Sequence, residues 1–197
     1  MTDGFGAALE ALARGELVVL PTDTVYGVAA RPDLPGATDR LFAAKGRPRE
    51  LTLPVLIGDP RDADRLGAID DRCRRLMERF WPGPLTLVVP RTDASVPWDL
   101  GGDRETVGLR VPDHDGTRTL LGETGPLAVT SANRSGQPTP SDCEGVRAAL
   151  GDSVAVYVCD DPRPAGPPST VVDATGPELT VLREGALDGK TVLAALG

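Results

Sequence analysis

The sequence predicts a single α/β domain over residues 1–197, and three observations support this prediction. The chain is long enough for one domain with a sizeable core, but shorter than two ordinary domains require. Hydrophobic residues make up 40% and aromatic residues only 4%, so leucine, valine and alanine must fill the core. Short apolar runs typical of buried strands alternate with segments of helical spacing, which is the pattern of sheet and helix packed in layers.

Helices and strands alternate along the first half of this domain. Apolar residues that recur at i, i+3, i+4 and i+7 indicate helices with one buried face, and Gly15 and Gly46 end the first two of them. Apolar runs without that spacing indicate buried strands. The predicted helices cover residues 4–14, 34–44, a short segment from Asp59, and a segment that carries Cys73, Leu76, Met77 and Phe80. The predicted strands cover residues 17–20, 53–57 and 85–89.

The second half is predicted to contain more strands than helices. Residues 106–111 alternate, so Thr106, Gly108 and Arg110 share one face of a strand. Ser141 and Glu144 have the spacing of a capping box, which opens a helix that ends at Leu150. The other predicted elements are strands at residues 127–129, 154–158, 169–172 and 179–182, a helix at 187–196, a bend at 81–84, and loops at 91–105 and 160–168.

Polar segments follow two of the predicted strands. Residues 21–27, Pro-Thr-Asp-Thr-Val-Tyr-Gly, come directly after the first strand, and Thr130-Ser131-Ala132-Asn133 comes after the strand at 127–129. Ligands of open α/β sheets bind beyond the carboxyl ends of the strands. Threonine and aspartate are also ordinary turn and cap residues, so the first segment alone fits a simple connection equally well. The pair of segments predicts two walls of one polar cleft.

The charged residues restrict the class of function. The net charge of −8 disfavours a protein that grips long nucleic acid through its phosphates. Of the 21 basic residues only Lys45 and Lys190 are lysine, and this acidic, arginine-rich composition suggests a salt-adapted cytoplasm. A lysine at position 45 therefore indicates a need for a compact ammonium beside a phosphate or carboxylate. The alternative is a cation that only offsets the dipole of the helix that ends there.

Other classes of protein are excluded or disfavoured. No apolar run approaches the roughly 20 residues of a membrane span, and the first residues lack the basic start of a signal peptide, so we expect a cytoplasmic protein. Cys73, Cys143 and Cys159 lack metal-ligand spacing and are expected to be reduced thiols in the packing. His114 is the only histidine, which excludes a multi-histidine metal site, and no metal centre is predicted.

Five motifs occur in order along the chain: residues 21–27, Lys45-Gly46-Arg47-Pro48, Trp81 to Val88, Val107 to Pro112, and Thr130 to Asn133. Together they resemble the YrdC/Sua5 family of threonylcarbamoyl-AMP synthases. The resemblance extends from about Leu17 to about Gly185 and implies a twisted mixed β-sheet flanked by helices, with a ligand cleft. It also implies the short YrdC-like form, without the C-terminal domain of Sua5 proteins.

The resemblance implies an activity without a covalent enzyme intermediate. The family joins L-threonine, bicarbonate or CO2, and ATP to give threonylcarbamoyl-adenylate and pyrophosphate, for the t6A37 modification of tRNA. ATP would be a substrate and would carry Mg²⁺ with it. The implied partners are a downstream tRNA threonylcarbamoyl transferase complex and, through a weak contact, tRNA or another RNA.

Site residues follow from the same resemblance, position by position. Lys45 and Arg47 fall on the catalytic Lys-x-Arg motif, and Thr22 and Tyr26 would complete the wall of the pocket. Leu51 and Leu56 stand where many Sua5-like members carry polar ligand contacts. The threonine-binding positions are Thr24, Arg110, Ser131 and Ser169. The nucleotide-binding positions are Arg47, Thr106, Asn133, Ser141 and Arg183.

Two other functions fit the same fold. The first is a noncatalytic RNA-binding or ribosome-maturation module, which the net charge of −8 disfavours. The second is a relative that processes another carbamoyl-adenylate, as a domain of hydrogenase-maturation proteins does. That domain normally accompanies acylphosphatase and zinc-finger modules, which this sequence does not show.

Overall fold

A mixed β-sheet with helices on both faces forms the part of the chain that the computed structural model describes, residues 3–159 and 166–196. The strands are β1 Val18–Leu20, β2 Gly27–Ala30, β3 Val55–Leu56, β4 Leu85–Pro90, β5 Thr106–Arg110, β6 Leu127–Ser131, β7 Val156–Tyr157, β8 Thr170–Asp173 and β9 Thr180–Arg183. The helices are α1 Asp3–Ala13, α2 Ala37–Lys45, α3 Ala63–Leu66, α4 Asp71–Phe80, α5 Asp115–Thr124, α6 Cys143–Leu150 and α7 Gly189–Ala194. In the sheet, the order of the strands is β7-β1-β2-β6-β3-β5-β4-β8-β9. The predicted fold class is confirmed.

The sheet separates two apolar cores, as β1 illustrates. Val18 and Leu20 belong to a buried cluster with side chains of α1 and α5, whereas Val19 belongs to a cluster with side chains of α2 and α4. Successive side chains of a strand point to opposite faces, so the two clusters lie on opposite sides of the sheet. Within the described residues, no helix is long and apolar enough to cross a membrane.

Alternation in β5 creates the floor of a cavity. Val107 and Leu109 are fully buried in the core beside α2 and α4, whereas Thr106, Gly108 and Arg110 point to the opposite face and line the cavity. The cavity therefore occupies a part of the sheet that α1 and α5 leave open. The prediction that these three residues share one face is confirmed.

Several predicted elements differ from the observed ones. Strand β2, which contains only glycine, valine and alanine, was not predicted, and neither was helix α5. The capping box at Ser141 is wrong, because the carboxylate of Asp142 caps α6 by accepting from the backbone nitrogen of Gly145 at 2.8 Å. Residues 160–165 of the predicted proline-rich loop lie outside the described residues.

The expectation of three reduced cysteines is wrong for two of them. Cys143 begins α6, and Cys159 follows β7; the two form a disulfide with their Cα atoms 5.8 Å apart. The fold thus brings together two residues that are 16 positions apart in the sequence. Cys73 is a free, buried thiol, and burial raises its pKa to about 11, so it belongs to the packing as expected.

Candidate active site

One cavity of about 430 Å³ brings together most of the residues that the resemblance marks as ligand-binding. Its walls combine hydroxyl side chains and three arginines with an apolar floor that includes Leu56 and Val129. Among the described residues, no aspartate or glutamate lines the cavity, so its lining favours an anionic ligand. The predicted residues that line it are Thr22, Thr24, Arg47, Thr106, Arg110, Ser131, Ser169 and Arg183.

Arg110 is held in place by contacts from three parts of the chain. Its Nε donates to the backbone oxygen of Gly83 at 2.9 Å, its Nη1 to Thr24 Oγ1 at 3.0 Å, and its Nη2 to Asp23 Oδ1 at 2.5 Å. The side chains of Arg110 and Asp23 are only 7% and 14% exposed. Burial lowers the pKa of Arg110, and the charge of Asp23 opposes that shift. The guanidinium is therefore fixed at the cavity wall.

Asp23 also connects the first polar segment to the chain that follows β5. Its Oδ1 accepts from the backbone nitrogen of Asp113 at 3.0 Å in addition to Arg110. The segment at 81–84, predicted to be only a bend, supplies the Gly83 oxygen that holds Arg110. Neither contact follows from the sequence pattern, because each joins residues that are distant in the chain.

Lys45 lies behind the cavity wall rather than on it. Its Nζ donates to the backbone oxygens of Ser131 and Asn133, both at 2.5 Å, and to Asn133 Oδ1 at 3.1 Å. These acceptors match the three donors of an ammonium. Ser131 Oγ donates to the same Asn133 Oδ1 at 2.5 Å. Burial, and then the charge of Arg47, lower the pKa of Lys45 to about 8. Lys45 thus ties the end of α2 to the end of β6.

Arg47 and Arg183 place positive charge at the same cavity. Arg47 donates to the backbone oxygens of Leu51 and Thr52, each at 3.1 Å. Burial lowers the pKa of both arginines, and the charge of Arg183 lowers the pKa of Arg47 further. Two guanidinium groups that repel each other, with no carboxylate of the described residues between them, form a suitable site for a polyanion.

A pair of hydroxyls joins β4 to the segment before β8. Thr86 Oγ1 lies 2.9 Å from Ser169 Oγ, and both residues line the cavity. Arg183 Nη2 donates to Ser169 Oγ at 3.1 Å and to the backbone oxygen of Ser169 at 2.7 Å. A Cβ atom on Gly185 would lie 2.5 Å from the carbonyl carbon of Ser169, so only glycine permits this approach.

The structure leaves some predicted residues outside the cavity lining. Lys45 and Asn133 contact its wall from behind, and Tyr26 is a buried side chain that is only 1% exposed. Ser141 is exposed and does not line the cavity. Sequence reasoning missed Thr86, although a lone threonine in an otherwise apolar strand could have indicated it. Within the described part of the chain, no cluster of three or more histidine, cysteine or acidic residues could hold a metal ion.

Several known proteins are similar to this chain in sequence and fold. A Mycobacterium tuberculosis protein provisionally named a threonylcarbamoyl-AMP synthase is 44% identical over 195 residues, which cover 98% of this chain and 89% of that protein. The Bacillus subtilis threonylcarbamoyl-AMP synthase is 38% identical over 94% of this chain and 54% of its own length. The crystal structure of Pyrococcus abyssi Sua5 complexed with L-threonine superposes with a TM-score of 0.88 at 31% identity, covering 98% of this chain and 57% of that one.

The chain spans about half the length of the B. subtilis and P. abyssi proteins. The Sua5/YciO/YrdC family model, which is described as telomere recombination, matches residues 10–185. This match covers most of the chain, and it includes every residue that lines the cavity. The chain belongs to the Sua5/YciO/YrdC family.

Proposed function

We propose that this protein is a threonylcarbamoyl-AMP synthase that joins L-threonine, bicarbonate or CO2, and ATP. One observation carries the proposal: a cavity lined by three arginines and several hydroxyls, without a described acidic residue, in a chain 44% identical to a relative with that provisional name. The identity extends over 98% of the chain and favours the synthase over an RNA-binding module or another carbamoyl-adenylate enzyme.

The reaction requires positioning and charge stabilisation rather than a covalent nucleophile. The neutral amine of threonine adds to CO2, which forms a carbamate N–C bond, releases one proton to solvent and leaves a negative charge on oxygen. That oxygen attacks the α-phosphorus of ATP, the bond from the α-phosphorus to the bridging oxygen breaks, and pyrophosphate leaves. Negative charge from a carboxylate, a carbamate and a triphosphate must be offset in one place.

The cavity offers a group for each of these charges. Arg110 would bind the carboxylate of threonine, with Thr24, Ser131 and Ser169 around the amino acid. Arg47 and Arg183 would bind the phosphates, and Thr106 would contact the nucleotide. Lys45 would add its charge from behind the wall while it holds Ser131 and Asn133 in position. Ser141, also assigned to the nucleotide, would reach it only from outside the described cavity.

The same proposal extends to the metal and the partners. Because no described carboxylate lines the cavity, Mg²⁺ would enter bound to the phosphates of ATP. The adenylate is reactive, so a tRNA threonylcarbamoyl transferase complex would consume it. A weak contact with tRNA and a cytoplasmic location belong to this proposal.

The test is an incubation of the folded protein with ATP, bicarbonate and a panel of amino acids, with pyrophosphate release and the adenylate product measured. We expect release that depends on both threonine and bicarbonate. A matched Arg47→Met protein controls for contaminating pyrophosphatase or synthetase activity, and it should lose most of the signal. Equal release without threonine, or none with any amino acid, would contradict the proposal.

A further inference from the structure

The hydroxyl of Thr22 fixes the direction of the hydrogen bonds along one wall of the cavity. A threonine hydroxyl has one proton to donate and can accept two. Thr22 Oγ1 donates its proton to the backbone oxygen of Val25 at 2.6 Å. It also accepts from the backbone nitrogen of Thr24 at 3.2 Å, and it lies 3.1 Å from Thr24 Oγ1. Because the proton of Thr22 is already used, the hydroxyl of Thr24 must be the donor in the bond between the two hydroxyls.

The hydroxyl of Thr24 is thereby left with accepting capacity only. It gives its proton to Thr22 and accepts from Arg110 Nη1 at 3.0 Å, so within the described part of the chain one lone pair is left without a partner. Thr22 and Thr24 both line the cavity and are 5% and 1% exposed, so water does not readily reverse this arrangement. A ligand group that meets Thr24 must bring its own N–H or O–H, since a carboxylate oxygen there would leave two acceptors facing each other.

Arg110 has the complementary capacity. Its three contacts use one N–H each from Nε, Nη1 and Nη2, so among the described residues two of the five N–H groups of a guanidinium have no partner. A carboxylate that cannot bind Thr24 can therefore bind Arg110 beside it. The wall presents an acceptor and a donor at adjacent positions, and this polarity can orient an amino acid.

We propose that Thr22 is a positioning residue that sets the orientation of the amino-acid substrate by keeping Thr24 a hydrogen-bond acceptor. Thr24 receives an N–H or O–H of the amino acid, and the carboxylate is directed to Arg110. This inference rests on the proposed function and deepens it, because it gives the amino-acid site a defined polarity. Thr22 acts through Thr24 and needs no contact with the substrate.

The experiment compares Thr22→Val, which keeps the shape and removes the hydroxyl, with Thr22→Ser, which retains the hydroxyl. Thr119→Val is the matched control, because Thr119 is an exposed threonine on α5. KM and kcat come from threonine-dependent pyrophosphate release, Kd from calorimetry, and folding from thermal melting. In Thr22→Val we expect KM and Kd for threonine to rise roughly tenfold, with a smaller change in kcat. In Thr22→Ser, KM and Kd for threonine should lie within about threefold of the wild-type values, and in Thr119→Val both should equal the wild-type values.

L-Valine, which replaces the hydroxyl of threonine by a methyl group, distinguishes the two possible donors. If Thr24 accepts a hydrogen bond from the hydroxyl of threonine, Thr22→Val should reduce the ratio of the Kd for valine to the Kd for threonine. If Thr24 accepts from the amine instead, Thr22→Val should raise the Kd of both amino acids by the same factor. Should Thr22→Val fail to fold, Thr22→Ala provides the same comparison. Unchanged threonine binding in the folded variant, or an equal loss in Thr119→Val, would overturn the inference. Wild-type protein that releases no pyrophosphate with threonine would instead contradict the proposed function.

Discussion

Replacement of Asp23 by asparagine should destabilise the protein and increase the rise in Tm that threonine causes. Asp23→Asn keeps the shape of the side chain but leaves the buried charge of Arg110 without its counter-ion. The loss of one partner of a buried pair typically costs about 3–5 kcal/mol. The amide oxygen of asparagine can still accept a hydrogen bond, so we expect the free energy of unfolding to fall by about 3 kcal/mol, near the lower end of that range. In a chain of this length, that corresponds to a fall in Tm of roughly 6–12 °C.

Thermal melting with and without L-threonine tests this prediction. The carboxylate of threonine would replace the missing counter-ion, so threonine should raise Tm more in Asp23→Asn than in wild type. A double-mutant cycle with Arg110→Gln isolates the pair, and we expect a coupling of at least about 2 kcal/mol. Asp115→Asn is the control, because the side chain of Asp115 is 93% exposed and its ion pair with Arg118 should contribute little. Additive effects of Asp23→Asn and Arg110→Gln on the free energy of unfolding would show that the two side chains do not stabilise each other, contrary to this prediction.

Three further predictions concern other contacts. Arg110→Ala should weaken threonine binding by about 1.5–3 kcal/mol and nucleotide binding by less, and equal losses in calorimetry would argue against the assignment of Arg110 to the amino acid. Lys45→Arg should still fold but lose on the order of a hundredfold in turnover, and near-normal turnover would leave Lys45 only its role of holding Ser131 and Asn133 in position. Because the pKa of Lys45 is lowered to about 8, wild-type turnover should fall above that pH, whereas the residual turnover of Lys45→Arg should not. As the pH rises, Lys45 loses its proton in the folded protein before it does so in the unfolded chain. The contribution of Lys45 to the free energy of unfolding should therefore rise between pH 8 and the ordinary pKa of 10.5. Cys143→Ser should reduce the free energy of unfolding by about 3 kcal/mol, because the disulfide closes a segment of 16 residues, and an unchanged denaturation midpoint under non-reducing conditions would contradict this.

The sequence allowed the fold class and most strands to be predicted, because alternation and apolar runs report burial directly. Strand β2 was missed because Gly27, Ala29 and Ala30 have low strand propensity. Its position between β1 and β6 stabilises it, and a Cβ atom on Gly27 would lie 2.6 Å from Val129. Helix α5 was missed because its residues 115–124 include three threonines and two glycines, which favour other conformations.

The candidate site was predicted from motif order rather than from contacts. The resemblance identified Arg110 and Ser169, and the structure shows that both line one cavity. The roles of Asp23 and Thr86 depend on partners far away in the sequence, which periodicity cannot reveal. The attachment of Lys45 to Ser131 and Asn133 is of the same kind, so the sequence indicated an unusual lysine but not its neighbours.

The contacts that hold the cavity together have a consequence for folding. Arg110 meets Thr24 across 86 positions, Lys45 meets Asn133 across 88, and Thr86 meets Ser169 across 83. Each contact closes a long loop, whose entropy must be lost before the contact can form. During synthesis, the binding site would therefore stay incomplete until Arg183 has left the ribosome. A ribosome-bound chain without that last part should bind threonine and ATP more weakly than the full chain, even where its early helices and strands have already formed.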